Sequence, residues 1–132
     1  MPLIADNLRQ FTGTESYTRW SILFRDMVLT DGAKYVAENG GGHGAYWLMD
    51  AIASYQRKVR KNPRLADFQI WKLKVTDSAA VLTCQGDSDE RPAVKQEIPY
   101  TDFDLPEITL YVAPTQFEED KIVYVILLPS EN

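Results

Sequence analysis

The sequence predicts an α+β fold, with N-terminal helices packed on one face of a curved, mostly antiparallel sheet of about five strands in meander order. Three observations predict it. Apolar residues recur at helical spacing up to about residue 64 and alternate at strand spacing from residue 67 onward. The segments that join the alternating stretches are too short to hold a crossover helix, so neighbouring strands should pair antiparallel. The length of 132 residues suits one domain, with a helical part at 1–64 and a sheet part at 65–132.

The first helix is expected at 3–11, where Leu3 or Ile4, Leu8 and Phe11 form a stripe and Pro2 suits the first turn. The run TGTES breaks it and offers caps for a short turn through Tyr17 and Trp20. Residues 22–29, ILFRDMVL, fit a helix or a strand equally well. A second helix is expected at 30–40, capped by Thr30 or Asp31, with Tyr35 and Val36 facing inward and glycines stopping it. The strongest helix is expected at about 44–61. Leu48, Ile52, Tyr55 and Val59 are its apolar stripe, and Asp50, Ser54, Arg57 and Lys61 its wet face. The NPR sequence at 62–64 ends it.

Strands are expected at 68–75, 79–85, 93–100, 107–113 and 121–128. Trp71, Leu73 and Val75 share one side of the first, and Ala80, Leu82 and Cys84 one side of the second. The last, KIVYVILL, is apolar on both faces, as a central or doubly covered strand would be. Pro99 marks its strand as an edge or a bulge.

With 45% hydrophobic and 25% charged residues the chain has the composition of a soluble globular protein. Cys84 is the only cysteine, which excludes an intramolecular disulfide and a multi-cysteine metal site. The start MPLIADNLRQF lacks a signal-peptide pattern, and the longest apolar run, at 122–128, is strand-sized. A cytoplasmic protein with no membrane association is therefore expected. The net charge of −5 is uneven: residues 1–86 carry +3 and residues 87–132 carry −8. Asp102, Asp104, Glu118, Glu119 and Asp120 make the second half a candidate acidic interaction surface. A basic patch, Arg57, Lys58, Arg60, Lys61 and Arg64, suits the end of a helix or a phosphate contact. The pI of 4.8 argues against a dedicated nucleic-acid binder, so direct contact with nucleic acid is not expected.

The stretch ENGGGHGAYWLMD (38–50) concentrates four of the seven glycines and the only histidine. Gly40, Gly41, Gly42 and His43, with Tyr46 and Trp47 behind them, are the candidate binding residues, because glycine N–H groups at a helix start can cradle an anion. No G-K-[ST] follows and no βαβ unit surrounds the run, so an elbow between helices accounts for it more simply, either mobile or ordered on binding. A Cys84–His43 dyad would need both groups within hydrogen-bond reach, and a cysteine at an apolar strand position is usually an inert small hydrophobe. One histidine without ligand spacing supports no metal site, and no cofactor is indicated.

At QFTGTESYTRW, LTDGAKYVAE, GAYWLMDAIASYQ and the strand segments from QIWKLKV to LPSEN, most of the chain resembles a family of small bacterial, phage and plasmid proteins of unknown function. The resemblance implies no catalytic residues. It implies a shorter link before GAYW in relatives, which makes GGGHG partly an insertion, and an accessory role such as modulating a host or defence protein. The leading expectation is a non-enzymatic protein-interaction module, a mobile-element accessory factor or inhibitor with an unidentified protein partner and an oligomeric state left open, a homodimer included. The alternatives are a small-molecule or nucleotide binder at the Gly-rich loop and a Cys84/His43 hydrolase.

Overall fold

The switch from helical to strand periodicity survives in three dimensions, with one strand added in front of it. A computed structural model describes residues 16–42, 44–87, 91–118 and 121–132, for 117 and 118 the backbone alone. The expected helix at 3–11 and the TGTES break up to residue 15 lie outside the described residues.

Strand β1 (Met27–Leu29) leads into α1 (Asp31–Asn39), α2 (Tyr46–Ser54), α3 (Gln56–Val59) and α4 (Pro63–Asp67). Strands β2 (Gln69–Thr76), β3 (Ala79–Gln85), β4 (Val94–Ile98), β5 (Glu107–Glu118) and β6 (Lys121–Leu127) follow, then a 3₁₀ turn at Pro129–Glu131. The fold is α+β, with a six-stranded mixed sheet of order β1-β6-β5-β2-β3-β4.

Two features of that order correct the expected five-strand meander. β1, inside the ambiguous stretch 22–29, pairs parallel with β6, Val28 opposite Val125. β4 and β5 are consecutive but not neighbours, because β2 and β3 lie between them. The linking segment 99–106 passes the end of the β2–β3 hairpin, where Thr101 N–H donates to Ser78 O and Val75 N–H to Pro106 O. Phe103 in that segment is buried in the core, which gives the detour an apolar anchor. The hairpin turns on Asp77 at φ 58°, a left-handed conformation that aspartate tolerates.

Pro99 follows β4, which is an edge strand. Pro114 sits in β5 past Val112, the last β5 residue paired with β2, so no ladder bond is lost on that side.

The expected helix at about 44–61 is broken at Tyr55 into α2 and α3. Ser54 Oγ donates back to Ala51 O at 2.7 Å, a bond that competes with the backbone ladder and bends helices. Asn62-Pro63, expected only to end a helix, also starts α4: Asn62 Oδ1 accepts from Arg64 N–H and Pro63 fills the first turn. α1 opens as expected on Thr30, whose Oγ1 accepts from Ala33 N–H, and stops at Gly40.

Leu48, Met49, Ile52 and Val59 from the helices pack with Trp71, Leu73, Leu82, Cys84, Leu110, Val112 and Ile126 from the sheet in one cluster. A smaller cluster of Val28, Val123, Val125 and Leu127 lies on the opposite face, so β6 is buried on both sides.

Candidate functional site

The Gly-rich loop connects α1 to α2 and is defined by hydrogen bonds. Ala45 N–H donates to Ala37 O at 2.7 Å, Gly41 N–H to Asn39 O at 3.0 Å and Gly44 N–H to Gly41 O at 3.2 Å. Gly41 and Gly44 have φ of 135° and 80°, which explains glycine at both. Gly42 N–H donates to Asp102 Oδ2 at 2.9 Å. The loop thus receives a carboxylate from its own chain where a cradle would receive a ligand's anion. Gly40 is buried against Phe103. Tyr46 and Trp47 are partly buried against the core rather than displayed. Burial, then the nearby Glu38 charge, raises the Tyr46 hydroxyl above its usual range. His43 lies outside the described residues.

A second polar feature was not among the sequence candidates. Gln56 on α3 and Gln69 on β2 are buried and exchange amide hydrogen bonds of 2.8 and 2.9 Å. Gln56 Nε2 also donates to Ile52 O, Gln69 Nε2 to Leu65 O, and Trp71 Nε1 to Gln69 Oε1. Buried amides persist in a core only when satisfied in this way. The signal was in the pattern: Gln69 is in phase with Trp71 and Leu73, an inward position for a polar side chain.

The network ends on Arg60. Its Nε donates to Gln56 Oε1 at 3.0 Å, its Nη1 pairs with Asp26, and its guanidinium carbon lies 3.5 Å from the centroid of the Tyr124 ring. Arg60 Nη2 is buried and has no hydrogen-bond partner among the described residues. A buried donor left unmade costs about 1–3 kcal/mol or more when charged. Arg60 lines a cleft of about 480 Å³ with Leu23, Phe24, Asp26, Ala53, Ser54, Gln56 and Arg57.

The segment 19–26 reaches this cleft through Leu23, Phe24 and Asp26, and Arg19, Trp20, Ser21, Ile22 and Arg25 line a separate depression. Trp20 Nε1 donates to Asp50 on α2 at 2.8 Å, and Trp20 packs beside Phe24 with ring centroids 6.2 Å apart. Those contacts hold the segment against the helices and leave Ile22 and Leu23 each 81% exposed between Arg19 and Arg25. Of the predicted basic patch, Arg57, Lys58, Lys61 and Arg64 are exposed on the same helical stretch, and Arg60 turns inward.

The predicted acidic surface is only partly described. Asp102 and Asp104 are exposed, Asp102 holding Gly42, whereas Glu119 and Asp120 and the side chain of Glu118 lie outside the described residues. Burial pushes the Cys84 thiol up to about 12, which favours the protonated form at neutral pH. Among the described residues no group of three or more His, Cys, Asp or Glu is placed to hold a metal ion. No helix among them is long and apolar enough to cross a membrane.

The sequence model of a family of unknown function, DUF6876, matches residues 2–132. No curated protein and no solved structure matches the chain.

Proposed function

Because the chain belongs to DUF6876, a family of unknown function, we propose a function from its geometry: a non-enzymatic protein-interaction module that docks a partner over the segment 19–26. The observation that carries this reading is the pair Ile22 and Leu23, each 81% exposed, with Leu23 on the lining of the Arg60 cleft and Ile22 on that of a neighbouring depression. Two adjacent aliphatic side chains held out by a braced segment are what an interface core needs, and the surrounding arginines supply a polar rim. The partner surface that complements this rim is acidic and apolar. A mobile-element accessory protein that modulates a host or defence protein in this way fits the small size of the chain.

The nucleotide-binding alternative at Gly40, Gly41 and Gly42 draws no support from the loop, since Asp102 takes the Gly42 N–H. The test is affinity capture from host lysate with wild-type protein and the double variant Ile22→Asp/Leu23→Asp. We expect a stoichiometric partner on the wild type and its loss on the variant, with Tm unchanged because both side chains are exposed. Capture of no stoichiometric partner at low salt, or equal capture by both proteins, overturns the reading.

A further inference from the structure

Among the described strands β4 is paired on one side only, against β3. The ladder fixes which of its backbone groups that pairing uses. Val75 N–H donates to Pro106 O, so the odd-numbered residues of β2 face β5 and the even-numbered ones face β3. Carried through the registers Lys72↔Thr83 and Leu82↔Gln96, this alternation turns the N–H and C=O of Val94, Gln96 and Ile98 toward β3. Those of Lys95 and Glu97 point outward, away from the sheet. Lys95 and Glu97 are exposed, and so are residues 91–93 before the strand and 99–100 after it.

The open stretch is short and bounded, which restricts what can join it. At one end Ala93 N–H turns in to Cys84 O at 2.7 Å, and at the other Pro99 has no N–H. Between them stand one cation and one anion, Lys95 and Glu97, on the same face of the sheet and in no ion pair among the described residues. A second copy of β4 complements this edge. Antiparallel pairing centred on Gln96 sets Lys95 opposite the second copy's Glu97, and Glu97 opposite its Lys95. These are the residues whose backbone groups face outward, so each pair exchanges both of its N–H···O bonds. Centring the pairing on Lys95 or on Glu97 instead sets like charges opposite each other, which is unfavourable. In the complementary register Ala93 meets the second copy's Pro99, where neither brings an N–H that would be left unpaired. On the helix side Val94 faces the second copy's Ile98. Gln96, whose Oε1 accepts from Tyr55 OH, turns its amide N–H groups toward the second copy's Gln96.

We propose that the protein self-associates edge to edge through β4, forming a two-fold dimer in which two six-stranded sheets run on as one. The interface uses no residue of the docking segment 19–26 and is independent of that reading. Because the paired stretch is short, the dimer depends on concentration. The dilute chain is a monomer with β4 as an open, fast-exchanging edge, and association covers that edge.

Sedimentation equilibrium from micromolar to millimolar protein should show reversible dimerisation of the wild type. Over the same range, hydrogen exchange at the Lys95 and Glu97 amides should go from fast to slow. Lys95→Glu and Glu97→Lys each set like charges opposite one another twice in the dimer. Each should weaken self-association at least about tenfold, with Tm unchanged because both side chains are exposed. An equimolar mixture of the two variants restores both opposite-charge pairs and should form a heterodimer as tight as the wild-type dimer. A wild type that stays monomeric at millimolar concentration overturns the proposal and makes Lys95 and Glu97 guards of a bare edge. Dimerisation retained by both single variants, or no association in their mixture, also overturns it. A dimer lost in Ile22→Asp/Leu23→Asp but kept in Lys95→Glu assigns self-association to the docking segment instead. If a single variant does not fold, exchange in the wild type decides: amides at Lys95 and Glu97 that do not slow with concentration overturn the proposal.

Discussion

Glu131 makes three hydrogen bonds that join the end of the sheet to the start of α1. Its Oε1 accepts from Thr30 Oγ1 at 2.6 Å and Leu128 N–H at 2.9 Å, and its Oε2 from Gly32 N–H at 3.0 Å. A carboxylate at a helix N-terminus meets orphan donors and the positive end of the dipole. Glu131→Gln should turn one acceptor into a donor facing Gly32 N–H and destabilise by about 1–2 kcal/mol in urea unfolding. Gly32→Ala should cost about 1–3 kcal/mol by the same measurement, because its Cβ would lie 2.5 Å from Glu131 Oε1 and 2.6 Å from Leu128 Cδ1. Cys84 gives a prediction with a sign. Its thiol has an ordinary value of 9.0 and is pushed up to about 12 by burial, so the unfolded chain releases that proton first. Stability from this group is complete below pH 9.0 and falls between there and about 12. Relative to Cys84→Ala, the wild type should lose up to about 1.4 kcal/mol per pH unit in that window. A disulfide reagent should leave Cys84 unmodified in the native protein at pH 8 and react fully in denaturant.

Between elements, the Gln56–Gln69 pair ties α3 to β2 across the core. Gln56→Leu or Gln69→Leu alone should cost about 2–3 kcal/mol, since each leaves the facing amide short of partners. The double variant should cost less than the two together, with a coupling of at least about 1 kcal/mol in a double-mutant cycle. The same elements show how far the chain could be read in advance. β3 falls at the expected 79–85, because Ala80, Leu82 and Cys84 alternate cleanly and turn residues bound them. β1 escaped because three residues are too few to display a period. The break at Tyr55 escaped because Ser54 bends the helix through a side-chain bond that the apolar stripe does not record. At the Gly-rich loop the glycine positions were legible, whereas their carboxylate comes from Asp102, sixty positions along the chain. The Arg60 cleft was half-visible: Arg60 stood in the basic patch, but its inward turn depends on Asp26 and Tyr124 from two other strands or their approaches.

For the molecule as a whole, strand order sets the gradient of local stability. β5 and β2 are paired on both sides, whereas β4 and β1 are the edges. Hydrogen exchange should be slowest at Trp71, Leu73, Leu110 and Val112 and markedly faster in β4, and uniform exchange across the sheet would contradict this order. The segment that carries Ile22 and Leu23 is held to α2 by the Trp20–Asp50 hydrogen bond, so its position depends on the helix. The parallel pairing of β1 with β6 has a consequence for biosynthesis. β1 is the first described strand to be synthesised and β6 the last, and among the described strands β6 is the one that pairs with β1, whose Leu29 also bridges to Thr18. The helices can gather early, but β1 has no strand of the sheet to join until β6 has emerged, so a nascent chain stalled before β6 should remain sensitive to protease at 27–29 and acquire resistance once β6 pairs.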